Sequence, residues 1–339
     1  MPKRGELGGD EITKIARRLV VEHPGHAARG LARMLVERSS NAITLLQAER
    51  RIRRQLGLNG SKDRRKIIAA APREARAAGQ VFEMPRSKAE GWEPHDLGVV
   101  GRVGILSDIH VPFHSELALG AAVDAMKGDR IDALVLNGDT CDFYAISRWT
   151  KRPALRDFRG ELRAARDLLG WLRQEFPEIQ IVFKTGNHEE RWEHWLWQHA
   201  PEICDEPEMG LANWLHLTKH GIELVTDQRP ILAGKLPILH GHEKGKGISA
   251  PVNQARGAFL RLHHTVLEGH GHRTSGHCEP DMWGSEVFCW STGCLCDLRP
   301  EYARLNKWNW GFALVEVHGD GSFDVTNQRI STDGKVRTS

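Results

Sequence analysis

The chain lacks any run of 18 or more apolar residues, whereas a membrane-spanning helix needs about 20. Its N-terminus carries basic residues but no apolar stretch of the kind that marks a secretory signal. Its six cysteines, at 141, 204, 278, 289, 294 and 296, show no paired C-x-x-C spacing, which excludes a cysteine-rich zinc module. Together these absences predict a cytoplasmic protein with no membrane contact and with reduced thiols. Cys294 and Cys296 are expected as small buried residues on one strand face. The 339 residues can hold one large core plus a small accessory domain, and the apolar content of 40% is ordinary. No feature of the sequence fixes an oligomeric state.

Charge is present but unevenly placed. Residues 1–80 hold 18 Lys and Arg against 8 Asp and Glu, while the remainder holds 29 against 36. A basic arm beside an acidic-to-neutral remainder suits attachment to a polyanion. Residues 10–57 read as three short helices, about Glu11–Glu22, His26–Glu37 and Asn41–Leu56. Pro24-Gly25 separates the first two, Ser39-Ser40-Asn41 offers a cap for the third, and Gly57 and Gly60 fit its stop. Arg50, Arg51, Arg53 and Arg54 fall mostly opposite the apolar stripe of the last helix. That arrangement is similar to helix-turn-helix DNA readers and predicts nucleic-acid contact by these four residues; the alternative is a bundle with a solvated basic face. A basic run from Lys62 to Lys66 enters a linker. The predicted organisation is a basic three-helix module over 1–60, a linker over 61–98 and a catalytic domain over 99–332.

Five short motifs follow in order: Asp108-Ile109-His110, Gly138-Asp139-Thr140-Cys141-Asp142, Gly186-Asn187-His188-Glu189, His240-Gly241-His242 and Gly269-His270-Gly271-His272. A short Val-, Ile- or Leu-rich run precedes each, as suits a strand covered on both faces. Helical patterns lie between them, for example 161–176 and 253–263, so the fold class is α/β. Ligands in such folds bind beyond the carboxyl ends of strands, where all five motifs fall. Their carboxylate, imidazole and amide donors suffice for two divalent metals. Asp139 is the expected bridge, with Asp108, His110 and His272 completing one site and Asn187, His240 and His270 the other. Manganese is the first choice among the metals that mixed N/O donors suit, with iron, zinc, nickel and cobalt also compatible. A pair about 3.5–4 Å apart can activate water and stabilise charge on phosphate. His188 is the expected general acid, with Asp142 accepting from its other ring nitrogen. His242 is expected at the substrate or behind the ligands.

These motifs resemble the calcineurin-like metallophosphoesterase superfamily, whose pattern is D-x-H, G-D-x-x-D, G-N-H-[DE], a G-H or H-G-H element, and G-H-x-H. The resemblance runs from about Arg102 to His272 and on through the C-terminal strands. It implies a four-layer α-β-β-α sandwich with a dinuclear site, here beside a small all-α N-terminal domain. Protein phosphatases of that family usually carry Arg directly after G-D-x-x-D, and Phe143 stands there instead. Arg191 or Arg273 is the expected substitute grip on phosphate. The segments Gly293-Cys294-Leu295-Cys296-Asp297 and Trp310-Gly311-Phe312-Ala313, with the basic helices, are similar to members encoded by bacteriophages and prophages.

Four tryptophans, Trp192, Trp195, Trp197 and Trp214, mark a helical cap over about 189–217, expected to pack on the sandwich, with a base-stacking platform as the other reading. His194, His199, His263 and His264 are expected to be structural or surface groups. The leading expectation is a metal-dependent phosphodiesterase or nuclease acting on nucleic acid or nucleotides. A phosphomonoesterase acting on a phosphoprotein or small phosphate ester is the alternative. A non-catalytic nucleic-acid-binding protein is the third reading.

Overall fold

The computed structural model describes residues 9–24, 26–56, 84–244 and 252–338. The Lys62–Lys66 run, Gly25, Gly57 and Gly60 lie outside them. The chain divides into two compact units, residues 1–89 and 90–339.

In the first unit, helices α1 (Gly9–Glu22), α2 (Ala28–Arg38) and α3 (Leu45–Leu56) close around Ile12, Ala16, Leu19, Leu31, Leu35, Ala48 and Ile52. These positions recur every three or four residues, so each helix turns one apolar face inward. The third helix begins four residues later than its sequence pattern suggests. Ser40 and Asn41 take φ of 52° and 60°, which ends α2 rather than starting α3. Thr44 then forms a capping box with Gln47: the Gln47 amide donates to Thr44 Oγ1 at 3.3 Å, and the Thr44 amide to Gln47 Oε1 at 3.0 Å.

The second unit is a four-layer α-β-β-α sandwich. One sheet holds β1 (His95–Asp96), β6 (Ile231–Ala233), β7 (Leu236–Leu239), β8 (Val266–Glu268), β10 (Glu286–Ser291) and β9 (Ser275–Pro280), in that order. The other runs β13 (Val336–Thr338), β12 (Phe323–Ile330), β11 (Trp310–Val317), β2 (Gly101–Leu106), β3 (Ala133–Asn137), β4 (Gln180–Lys184) and β5 (Ile222–Val225). Strands β2 to β5 pair in parallel. Alternation along them builds the layers. Val103, Ile105, Ala133 and Val135 meet Ile231, Leu236, Ile238 and Leu267 of the opposite sheet. Leu106, Leu134 and Leu136 face outward onto α4 (Glu116–Asp129) and α5 (Phe158–Glu175). Helix α8 (Gln254–Leu262) covers the other outer face through Ala255 and Ala258 against Val266 and Cys289.

Both sequence-predicted helices in this unit form with side-chain caps: Asp157 accepts from the Gly160 amide, and Asn253 from that of Arg256. The C-terminal strands divide between the two sheets. Glu286–Ser291 pairs with β8, whereas β11 pairs antiparallel with β2, setting Ala313 opposite Ile105. His318–Ser322 makes a hairpin turn, with the His318 amide donating to the Ser322 carbonyl at 2.8 Å. His95–Asp96, within the stretch expected as linker, pairs with Ile231–Leu232.

The cap lies over 190–214, in helices α6 (Glu190–His199) and α7 (Leu211–Trp214). Trp192 stacks on Phe158 at 5.5 Å and on Trp195 at 5.9 Å, and meets Trp214 at 4.8 Å. This cluster is packing against the sandwich, as its buried Trp192 requires; Trp197 is exposed.

Candidate metal centre

The five motifs sit at the carboxyl ends of β2, β3 and β4 in one sheet and of β7 and β8 in the other. Turning donors inward so soon after a strand needs an unusual backbone. Asp108, His110, Asp139, His270 and His272 all adopt left-handed φ, between 49° and 60°. Non-glycine residues rarely do so, and such conformations gather where a site requires them. Two glycines permit the close approach. A Cβ at Gly186 would strike the Asp139 carboxylate, and one at Gly269 would strike Ser107 and Asp108.

Six of the expected ligands come together, and Asn187 follows β4 with its Oδ1 buried. Asp108, Asp139, His240 and His270 offer donor atoms within 4.8 Å of one another. Asp139 Oδ2 lies 3.3 Å from His240 Nε2 and 3.8 Å from His110 Nε2, so one carboxylate oxygen reaches both halves of the cluster. His110 and His272 approach at 3.3 Å between their Nε2 atoms, and His272 Nε2 is 3.0 Å from Asp108 Oδ1. The His240 and His270 rings lie 5.1 Å apart. Asp108 and Asp139 are buried, while His270 faces solvent and opens the cluster outward.

The unsatisfied atoms are informative. Asp108 Oδ1, Asn187 Oδ1 and His240 Nε2 are buried without a well-aligned hydrogen bond; Asp108 Oδ1 and His240 Nε2 face another prospective ligand, at 3.0 and 3.3 Å, instead of an ordinary partner. Such orphans are costly unless a ligand completes them. Burial alone raises the Asp108 carboxyl, but neighbouring His272 more than reverses this and holds it below the usual range. Asp139 behaves alike: burial raises it, and His188 and His240 bring it well down. Burial disfavours charge on His240, yet the Asp139 carboxylate pushes it up to about 10. The two carboxylates thus create a place where positive charge is strongly favoured. Buried carboxylates, imidazoles and an amide oxygen with free lone pairs fit hard or borderline divalent cations.

His188 differs from its neighbours. Its amide donates to Asp139 Oδ1 at 2.9 Å, and its ring lies 4.4 Å from that of His110. Its Nδ1 meets the backbone carbonyl of Asp142 at 2.8 Å, instead of the carboxylate that the sequence pattern suggests. The Asp142 carboxylate pairs with His110 Nδ1 at 3.1 Å. The reason is local: Asp142 Oδ2 is 3.7 Å from His188 Nδ1, while its carbonyl is already aimed there. Arg191 bridges the pair, donating from Nη1 to the Asp142 carbonyl and from Nη2 to His188 Nε2, both at 2.8 Å. Burial lowers His188 to about 3, so the ring is neutral.

Of the remaining expected residues, His242 stays beside the ligands, its ring 5.3 Å from that of His240. His242 Nε2 is held by Glu190 Oε1 at 2.8 Å. Arg273 donates to the Val252 carbonyl. Phe143 is buried beside Phe158, so no charge projects from that position. In the helical unit Arg50, Arg53 and Arg54 are exposed, Arg51 is half-buried, and Arg53 pairs with Glu49 at 2.7 Å.

Three acids escape the motif reading. Glu189 accepts from the amides of Asp139, Cys141 and Gly186 at 2.8–2.9 Å, tying two ligand loops together. Burial, with Asp139 adding to it, pushes its carboxyl up to about 7. Glu243 accepts from the His240 amide at 2.9 Å and pairs with fully buried Lys184, also at 2.9 Å. Glu268 pairs with Lys244. Glu189 closes the third motif, so the signal was present; Glu243 and Glu268 sit among residues that read as solvated acids. Cys296, expected only as packing, has its Sγ 3.9 Å from His272 Nδ1.

No protein-family profile matches the chain. It is 27% identical over 256 residues to the Gene 54 protein of Mycobacterium phage L5, covering 69% of this chain and 98% of that protein. The Gene 54 protein of Mycobacterium phage D29 is 26% identical over 254 residues, with the same coverage. Among solved structures it is similar to Vps29 from Entamoeba histolytica, at TM-score 0.39 and 15% identity, covering 70% of this chain and 97% of that one. A dimetal phosphatase from Danio rerio gives TM-score 0.35 and 13% identity, covering 70% and 98%.

Proposed function

We propose that this chain is a dinuclear metal-dependent phosphoesterase that hydrolyses phosphodiesters of nucleotides or nucleic acid. The observation that carries the reading is the gathering of Asp108, His110, His240, His270 and His272 about Asp139, with buried, poorly partnered atoms on Asp108 and His240 and on Asn187 of the neighbouring loop. Asp108, His110 and His272 would hold one cation and Asn187, His240 and His270 the other, with Asp139 shared. When bound, two divalent cations supply Lewis-acid charge for the phosphoryl group and acidify water.

The chain's own groups handle the leaving side. His188 holds its Nδ1 proton on the Asp142 carbonyl, which leaves Nε2 as the site of proton exchange. Arg191 now occupies Nε2. A phosphate oxygen is a stronger acceptor for a guanidinium than a neutral imidazole is. Substrate therefore draws Arg191 away, and the same anionic charge favours a proton on Nε2 for the departing alkoxide. Buried Phe143 supplies no guanidinium at the protein-phosphatase position, so the phosphate contact falls to Arg191 from the loop and helix after β4, a departure that favours diesters over phosphoprotein monoesters. The exposed arginines of α3 favour a polyanionic partner. All six cysteines are free thiols, in keeping with a reducing cytoplasmic setting. Among the described residues no helix is long and apolar enough to cross a membrane.

The test is a panel of a monoester, a diester, single- and double-stranded DNA and RNA, assayed with Mn, Zn, Ni and Mg. Faster turnover of diesters than monoesters is expected. Intact diesters beside rapid monoester turnover would overturn the substrate assignment.

A further inference from the structure

A cleft of about 180 Å³ opens directly beside the donor cluster, with buried His110, Asp142 and Cys296 in its lining. The chain has only two tyrosines, and both line this cleft, together with Phe113. Phe113 and Tyr144 meet edge to face, with centroids 5.9 Å apart. Tyr302 is 64% exposed and leads back to the metal cluster through Trp308, whose ring is 6.3 Å from Tyr302 and 4.1 Å from His272. An exposed aromatic this near a reactive centre offers a π face that the fold does not need for packing.

The polar lining is matched to a ring bearing N–H and carbonyl groups. Glu301 accepts from the Tyr144 hydroxyl at 2.7 Å, and that hydroxyl accepts from the Arg152 amide, also at 2.7 Å. The tyrosine is thereby fixed, with the Glu301 carboxylate at the lining of the cleft. Arg152 itself is exposed at the lining and adds a cation. The volume is below the ~300–1,000 Å³ of sites that enclose drug-sized ligands, so one ring system fits and a whole nucleotide does not.

We propose that this cleft binds one nucleobase of the substrate, stacked against Tyr302, with its attached phosphate at the donor cluster. The proposal rests on the phosphoesterase reading of that cluster and names the part of the substrate that it recognises. Stacking on an aromatic is sequence-tolerant, so any base is accepted, and the carboxylate lining tunes preference among them.

Equilibrium binding to the full chain with Mn²⁺ tests it. The probes are deoxyadenosine 5′-monophosphate and 2-deoxyribose 5-phosphate, which share sugar and phosphate and differ by the base. The nucleotide is expected to bind roughly 5- to 150-fold tighter. Tyr302→Ala should bring that ratio near one, and Tyr302→Phe should keep it. Equal affinities in the wild type, or an unchanged ratio in Tyr302→Ala, would overturn the proposal. Competition by a short single-stranded oligonucleotide assigns the base to a strand, and failure to compete assigns it to a free nucleotide; the base site stands in both cases. Turnover of esters with no base preference removes this cleft and keeps the phosphoesterase reading. A base preference without any ester hydrolysis does the reverse.

Discussion

In the three-helix unit the ionisable groups lie outside and the core is apolar: Leu19, Leu31, Leu35 and Ile52 are fully buried, and Arg50, Arg53 and Arg54 face solvent. In the sandwich unit the order is reversed at one edge. Asp108, Asp139, Glu189, His240 and Lys184 are all at most 1% exposed. The first arrangement is stable by the ordinary hydrophobic argument. The second carries buried charge, left-handed backbone and orphaned donors together, each unfavourable for folding alone. Such a concentration is retained where a ligand completes it; among the described residues of the helical unit, left-handed backbone at Ser40 and Asn41 is not joined by a buried charged residue.

The sharpest way to break the comparison is at the edge where those charges gather. His188→Ala should lower kcat by roughly 10²–10⁴-fold while bound metal stays constant. Parallel loss of metal would make His188 a ligand instead. Glu189→Gln comes next. It puts an amide N–H where three backbone amides already donate, so activity or metal affinity should fall by roughly 10–100-fold, as for other groups that orient ligands. A variant with wild-type metal affinity and rate would remove Glu189 from the framework.

Legibility in the sequence follows the same division. The donor loops are legible because each follows a short apolar run, and a strand end is where an α/β fold collects ligands. Helix periods and the caps at Asp157 and Asn253 are equally local. Glu243 and Glu268 are not legible, because a carboxylate bracing a loop has no period and no fixed partner spacing. The Asp142 carboxylate pairs with His110 instead of His188 because a strand-end turn sets its angle, which spacing alone does not encode. The division of the last strands between sheets depends on long-range pairing of β11 with β2.

A smaller effect separates burial from catalysis. Glu161 lies in the core side of α5, accepts from the Ala145 amide at 2.9 Å, and is pushed by burial up to about 7 from 4.5. A raised carboxyl means that the folded chain binds this proton more readily than the unfolded chain does. Its contribution is fully present below pH 4.5 and is lost as pH rises through 7. Relative to Glu161→Gln, wild-type stability should therefore decline across that window, by at most about 1.4 kcal/mol per pH unit. Denaturant titrations at pH 5 and pH 7.5 read it; parallel curves would contradict the assignment. Least in size is Thr44→Ala, which removes one half of the capping box and should cost about 1 kcal/mol in the helical unit. Phosphoesterase rate should be unchanged, and an equal fall in activity would show that the two units are not independent.

The most direct test is the metal content of the purified full chain after saturation with Mn²⁺ and removal of the excess. Two ions per chain are expected, falling to one or fewer in Asp139→Asn, because the shared oxygen serves both halves. One ion in the wild type, or two retained in Asp139→Asn, would contradict a dinuclear centre built on Asp139.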